Sequence, residues 1–409
     1  MTTDQDYCPT TAESGHLIVD TTEIEVVRQV LDELGIVIAK TDDLPAFELA
    51  LLELEHAAPP GTPVRDVDPV LTEVRARLAG RCGGWTPFLG KNRTMVSQFG
   101  AYPQTRGMTS WDPEAFAGET GAFFDGEAGR GVRVGILDTK IYDHPALADR
   151  DIETPDHYKF GEPANGVRFT VEEGHGVFAA GLVLRQAPRA TLVARHALGP
   201  NGKSTAWKVV QKLAEFYDES PRVDVLVLAN GCRTSDGQAP MILDRAIERL
   251  SAHVMVVAAA GNHGETIGIS TDVQITRNSP TWPAALPRVV AVGVASAPVP
   301  YSADGPWMLA RYSPDLPWVT CTVDPVDPTT QEDLFVSTYL KATDVKLHEA
   351  FSPDDFSSGY AKWVGTSCAA AYLGGAIAAK MAEDQLTAQQ ALEALYLGKT
   401  VHKFDWQYR

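Results

Sequence analysis

Ser367 stands in the run Gly365-Thr366-Ser367-Cys368-Ala369-Ala370-Ala371, which opens a Gly/Ala-rich helical stretch. A serine hydroxyl becomes a useful nucleophile only when a base takes its proton, a carboxylate orients that base and donors stabilise the oxyanion. Candidates for all three partners lie upstream. Asp138 closes the apolar run 132–137, His175 sits between Gly174 and Gly176, and Asn262 follows Gly261 at the end of the apolar run 254–260. Each has a plainer reading on its own. Asp after a strand commonly makes a turn or cap, Asn after Gly a turn, and Ser or Thr after Gly a helix cap. A lone histidine at a helix start is usually a satisfied structural group. It is their conjunction, in the order Asp, His, Asn, Ser, that points to a serine hydrolase.

The flanking residues narrow this further. Val134-Gly135-Ile136-Leu137-Asp138-Thr139 is followed by Asp143-His144-Pro145-Ala146-Leu147, then by Gly174-His175-Gly176 with Ala179-Ala180-Gly181. Ala258-Ala259-Ala260-Gly261-Asn262 and Gly365-Thr366-Ser367 complete the set. On these motifs the chain resembles the subtilisin-like serine proteases. The resemblance implies an endopeptidase working through an acyl-enzyme, with Ser367 the nucleophile, His175 the base, Asp138 its orienting carboxylate and Asn262 the oxyanion donor beside the Ser367 backbone N–H. It also implies that substrate binds as an added strand, against Leu228-Ala229-Asn230-Gly231. Ala258, Ala259, Ala260 and Gly261 would line the primary pocket and Trp282 a further wall, although ordinary strand ends and turns explain these residues as well. Several positions depart from the family pattern. Val177 and Phe178 replace polar residues after the His-Gly pair, Lys140 replaces a glycine, Cys368 follows the nucleophile, and Ala371-Tyr372 replace a Pro-His pair. These suggest a second reading, a catalytically silent module that keeps the fold to hold peptides.

The elements that would position these residues follow an alternating plan. The runs 192–194, 223–229 and 289–294 read as buried strands, and 204–216 and 241–250 as helices. This predicts an α/β fold, a three-layer αβα arrangement with a mainly parallel central sheet. An Asp or Asn at a strand's carboxyl end then sits where open α/β sheets bind ligands. Between 320 and 363 the pattern fades, which predicts an active-site flap or an inserted hairpin with a strand at 335–340.

Residues 1–110 read as an acidic accessory or pro-domain with a linker, and 111–409 as the peptidase domain. A strand at 16–20 precedes a helix from Ile24 to Leu34, opened by a Thr22/Glu25 capping box and stopped by Gly35. A second strand at 36–39 and a second helix from Asp43 to Leu54 would make a small βαβα unit, part of a small α+β region. Residues 80–110, with Arg93, Arg106 and Gly107, read as a linker where any processing would occur. The N-terminal region either inhibits in cis or recruits substrate, and the second fits the expected compartment better.

That compartment is read as the cytoplasm. Met1-Thr2-Thr3-Asp4-Gln5-Asp6 lacks the basic start and apolar core of a secretory signal, and five scattered cysteines suit reduced thiols. A net charge of −18 argues against nucleic acid and anionic membrane as partners, which leaves a peptide or protein substrate. No metal-ligand spacing is evident and no cofactor is expected. A structural calcium is possible only through scattered ligands that spacing would not reveal.

Overall fold

The computed structural model describes residues 12–97, 109–110, 126–154, 169–264, 276, 279–296, 308–310, 312–314, 317–324, 334–341, 345–346, 356–398 and 401–403. Near the N-terminus run β1 (Ala12–Asp20), α1 (Ile24–Glu33), β2 (Ile36–Leu44), β3 (Leu49–His56), the short β4 (Thr62–Pro63), α2 (Asp68–Arg81) and β5 (Leu89–Ser97). The β-strands alternate their side chains between two apolar surroundings. Leu17, Val19, Ala50, Leu52 and Leu54 pack with α1 and α2. Ile18, Leu49, Leu51 and Met95 face the other way, into the body of the molecule.

This unit differs from the expected βαβα order in three ways. The helix predicted from Asp43 to Leu54 is absent: Pro45–Phe47 form one 3-10 turn, Glu48 takes φ 54°, and Leu49 begins a strand. β3 lies between β1 and β2, and buried Leu49, Ala50, Leu51 and Leu52 leave no polar face for a surface helix. The Thr22/Glu25 capping box is replaced by Asp20, whose carboxylate accepts from Thr22 N at 2.9 Å. The predicted linker holds the end of α2 and all of β5, which pairs with β1. Its Lys, Asn, Arg and Thr residues hid a strand whose contacts lie on other elements. Residues 98–108 of that linker lie outside the described residues.

The rest of the chain comprises β6 (Thr109–Ser110), β7 (Arg133–Asp138), β8 (Ile152–Glu153), β9 (Phe169–Thr170), α3 (His175–Gln186), β10 (Thr191–His196), β11 (Lys203–Thr205), α4 (Ala206–Tyr217), β12 (Val225–Leu228) and β13 (Asn230–Gly231). There follow α5 (Met241–Leu250), β14 (Met255–Ala259), β15 (Val289–Ser296), β16 (Met308–Leu309), β17 (Cys321–Val323), β18 (Phe335–Thr338), β19 (Val345–Lys346), β20 (Tyr360–Trp363), α6 (Thr366–Asp384), α7 (Ala388–Leu397) and β21 (Val401–Lys403). The central sheet runs β21-β17-β15-β14-β12-β7-β10-β8. From β17 to β8 every pairing is parallel, while β21 and β16 join antiparallel.

Strand alternation sorts the core into two layers. Val134, Ile136, Val225, Val227, Val257, Ala259, Val292 and Val294 face α3, α6 and α7. Leu137, Leu226, Leu228, Val256, Ala258 and Ala291 face α4 and α5. This is the expected three-layer αβα architecture. In the predicted flap or hairpin region, β18 and β20 pair antiparallel, Phe335 opposite Trp363. No helix among the described residues is long and apolar enough to cross a membrane.

Candidate active site

Three chain segments far apart in sequence meet above the carboxyl end of the central sheet. Asp138 ends β7, is 1 % exposed and accepts from Thr139 N at 2.6 Å. His175 opens α3 with Nδ1 at 2.7 and 2.8 Å from the two Asp138 oxygens. A carboxylate accepts, so Nδ1 carries the proton. Nε2 then faces Ser367 Oγ at 2.9 Å as the acceptor for the hydroxyl proton. This is the nucleophile, base and orienter geometry of an activated serine.

The glycines around His175 are fixed by close approach. A Cβ on Gly174 would lie 2.2 Å from the Tyr339 ring, and one on Gly176 2.4 Å from Thr139 O. Gly176 N also donates to Thr139 Oγ1 at 2.8 Å, holding the first turn of α3 against the end of β7. Behind the base, the Trp363 ring meets His175 edge to face at 5.5 Å and Phe178 at 5.5 Å. Phe178, one of the residues departing from the family pattern, therefore packs against the wall of the imidazole. Ser337 Oγ donates to Phe178 O at 2.7 Å and Thr338 Oγ1 to Val177 O at 3.0 Å, binding β18 to α3.

Ser367 lies in the first turn of α6, where backbone N–H groups lack intrahelical acceptors and the dipole favours negative charge. Asn262 is 3 % exposed, and its Oδ1 accepts from Thr366 N at 2.9 Å. That bond orients the amide so that its N–H groups are the donors on the remaining side. Gly261 N donates to Thr366 Oγ1 at 2.9 Å, a second tie between the two loops. Small residues bring α6 close. A Cβ on Gly374 would lie 2.4 Å from Val227 Cγ2, and one on Gly375 2.4 Å from Val183 O. Ala371 is fully buried and Tyr372 meets Phe335 at 6.2 Å, so this helix is seated without the Pro-His pair. Cys368 is 2 % exposed and burial pushes its thiol up to about 12, which keeps it protonated and inert.

The expected substrate residues divide. Leu228 and Ala258 fill the α4/α5 core, Ala259 the opposite layer, and Ala260 packs on Val319. Ala229 is fully buried at the strand end. The side chain of Asn230 donates to Leu137 O at 2.9 Å. Trp282 is 9 % exposed and bridges Cys232. Asn230 and Gly231 form β13, the expected strand-docking edge, and its antiparallel partner is this chain's own β5: Ser97 faces Asn230 and Val96 faces Gly231. β5 also pairs with β11, with Val96 opposite Lys203 and Met95 opposite Ser204. Ser97 N donates to Gly202 O at 2.9 Å.

Sequence reading missed Thr139, Trp363 and the β11 edge. No periodicity marks a single threonine or a three-residue strand, although Gly199 and Gly202 before an amphipathic helix signal a turn there. Among the described residues no cluster of three or more His, Cys, Asp or Glu could hold a metal ion.

Comparison with known proteins places this geometry. Over 167 residues the chain is 29 % identical to the minor extracellular protease Vpr of Bacillus subtilis (strain 168), a match covering 37 % of this chain and 20 % of that protein. It is 27 % identical over 175 residues to a subtilisin of Bacillus sp. (strain TA39), covering 40 % of this chain and 39 % of the relative. The matches thus span well under half the length of these two relatives. The crystal structure of fervidolysin from Fervidobacterium pennivorans, a keratinolytic enzyme related to subtilisin, superposes with TM-score 0.60 at 16 % identity, covering 97 % of this chain and 58 % of that one, and so shares the fold. The subtilase family model matches residues 129–404, the whole stretch that carries β7, α3, the Asn262 turn and α6, and the chain belongs to that family.

Proposed function

We propose that this chain is a serine endopeptidase. Ser367 attacks the scissile carbonyl while His175 Nε2 takes its proton, and Asp138 holds the imidazole in the required tautomer and stabilises the imidazolium. The Asn262 amide and the Ser367 N–H bind the oxyanion, and His175 returns the proton to the leaving amine. Water then hydrolyses the acyl-enzyme. The single observation that carries this reading is the unbroken chain of hydrogen bonds from the Asp138 carboxylate through His175 to Ser367 Oγ. A fluorophosphonate probe tests it. Wild type should be labelled on Ser367, Ser367→Ala should not, and an unlabelled wild type would favour the silent peptide-binding module. Failure to digest casein alongside labelling would identify a dedicated processing enzyme.

The N-terminal region, taken as residues 1–110, is proposed to inhibit in cis rather than to recruit substrate. The antiparallel register of β5 between β11 and β13 supports this, because that edge is where a substrate strand would add. Intact mass of wild type beside Ser367→Ala tests it: a product lacking the N-terminal region in wild type alone supports a pro-domain.

A further inference from the structure

Three polar side chains gather beside the turn that carries Asn262, and the proposed proton transfer uses none of them. His263 (1 % exposed) follows Asn262, Thr281 (0 %) precedes Trp282, and Arg233 (8 %) follows Cys232. Mutual backbone hydrogen bonds of 2.9 Å between Cys232 and Trp282 fasten the last two segments together. A Cβ built on Gly261 would lie 2.5 Å from Thr281 Oγ1 and 2.8 Å from His263 Nδ1, so both atoms converge on one backbone position. Among the described residues neither atom has a hydrogen-bond partner. Native proteins rarely leave such a group buried and unsatisfied without a functional reason or a bound partner.

The protonation pattern says what partner would fit. His263 Nε2 lies 2.7 Å from Ser279 O. A carbonyl only accepts, so Nε2 carries the proton and the neutral ring presents a lone pair at Nδ1. Burial, and then the positive charge of Arg233, hold His263 well below the ordinary histidine range and keep the ring neutral. Thr281 Oγ1 supplies a hydroxyl donor. An acceptor beside a donor complements a primary carboxamide, which offers N–H and C=O side by side. A carboxylate offers only acceptors and would set lone pair against lone pair at Nδ1 until the imidazole took up a proton.

The strand register leads to the same place. A peptide docked as β5 is, with residues opposite Gly231 and Asn230, places its next residue beside Ala229. Leu228 of β12 pairs in parallel with Ala258 of β14, so this position lies at the strand ends from which the Gly261–Asn262 turn continues, the turn that Thr366 ties to the nucleophile. Resting on the endopeptidase reading above, we infer that the primary pocket selects glutamine at the residue whose carbonyl is attacked, through Thr281 Oγ1 and His263 Nδ1. In this chain the residue after Ser97 is Gln98, itself outside the described residues, so the bond so selected is Gln98–Phe99.

The experiment uses the full chain at pH 8 with peptides Arg-Thr-Met-Val-Ser-X-Phe-Gly in which X is Gln, Glu, Leu or Met. Gln should exceed Leu in kcat/KM by at least about thirtyfold, since a site built to hydrogen-bond rejects analogues that cannot. Thr281→Val, a near-isosteric change, should cut that ratio at least about tenfold, and His263→Leu should do the same. A product beginning at Phe99 in the intact mass of wild type would support the pocket independently. Preference for Leu or Met, or a Gln:Leu ratio unmoved by Thr281→Val, would overturn the inference. Glu exceeding Gln at pH 8 would also overturn it, in favour of a cationic pocket built on Arg233. Fluorophosphonate labelling with cleavage elsewhere sinks the pocket alone, whereas no labelling sinks the peptidase reading and the pocket with it.

Discussion

Asn262 and His144 show how single side chains set measurable properties. With Oδ1 held by Thr366 N, the Asn262 amide N–H is the donor that the proposed mechanism aims at the oxyanion, so Asn262→Ala is expected to lower kcat about 10²–10³-fold with little change in KM. Steady-state kinetics on one good peptide checks this. His144 donates from Nε2 to Gly359 O at 2.8 Å and accepts from Ala146 N at Nδ1, which requires the neutral ring. Burial pushes it down to about 4 from an ordinary 6.5, against the opposing pull of the Gly359 bond. Because the folded value lies below the unfolded one, this contribution is complete above pH 6.5 and is lost as pH falls towards 4. It amounts to about 3 kcal/mol. Denaturant midpoints should fall across that window, and less steeply in His144→Gln. Asp138, His175, Asn262 and Ser367 were legible in the sequence as candidates because each stands just after an apolar run or at the start of an alanine-rich stretch. Thr139, Trp363, His263 and Thr281 were not, since their roles come from contacts with segments distant in the chain.

At the scale of elements, the buried parallel strands and the helix at 241–250 could be read from apolar runs and period. Leu49–His56 could not, because its run of leucines suits a helix as well as a strand, and only position between β1 and β2 decides. β5 was hidden more deeply: its polar residues satisfy partners on β11 and β13 that no local pattern specifies. If that pairing blocks the site, Ser97→Pro, which removes the N–H donated to Gly202 O, should speed fluorophosphonate labelling of the unprocessed chain about tenfold. An unchanged rate would argue against cis inhibition. The junction of β7 and α3 tolerates no added carbon at Gly176, where a Cβ would meet backbone oxygen at 2.4 Å. Gly176→Ala is therefore expected to cost about 1–3 kcal/mol in chemical unfolding and most of the activity, as His175 shifts away from Ser367.

Across the whole molecule, one apolar cluster joins the N-terminal sheet to the α4/α5 face of the central sheet. Ile18, Phe47, Leu49, Leu51 and Met95 pack with Trp207, Val210, Ile242 and Leu243. Polar ties surround it: Arg245 to Asp20 at 2.6 Å, Arg249 to Glu48 at 2.5 Å, and Trp207 Nε1 to Asp42 at 2.7 Å. Separating the two parts would bare that surface, so calorimetry of Ser367→Ala is expected to show one cooperative transition rather than two. The end of β5, Val96 and Ser97, lies between the short strands β11 and β13, so its departure would leave a slot two ladder spacings wide, about 10 Å. Such a gap admits a single extended backbone and nothing thicker. On the proposed endopeptidase reading, a helix, or a loop pinned within a folded domain, would be turned away whatever its residues, making local unravelling of the target the first condition for being cut.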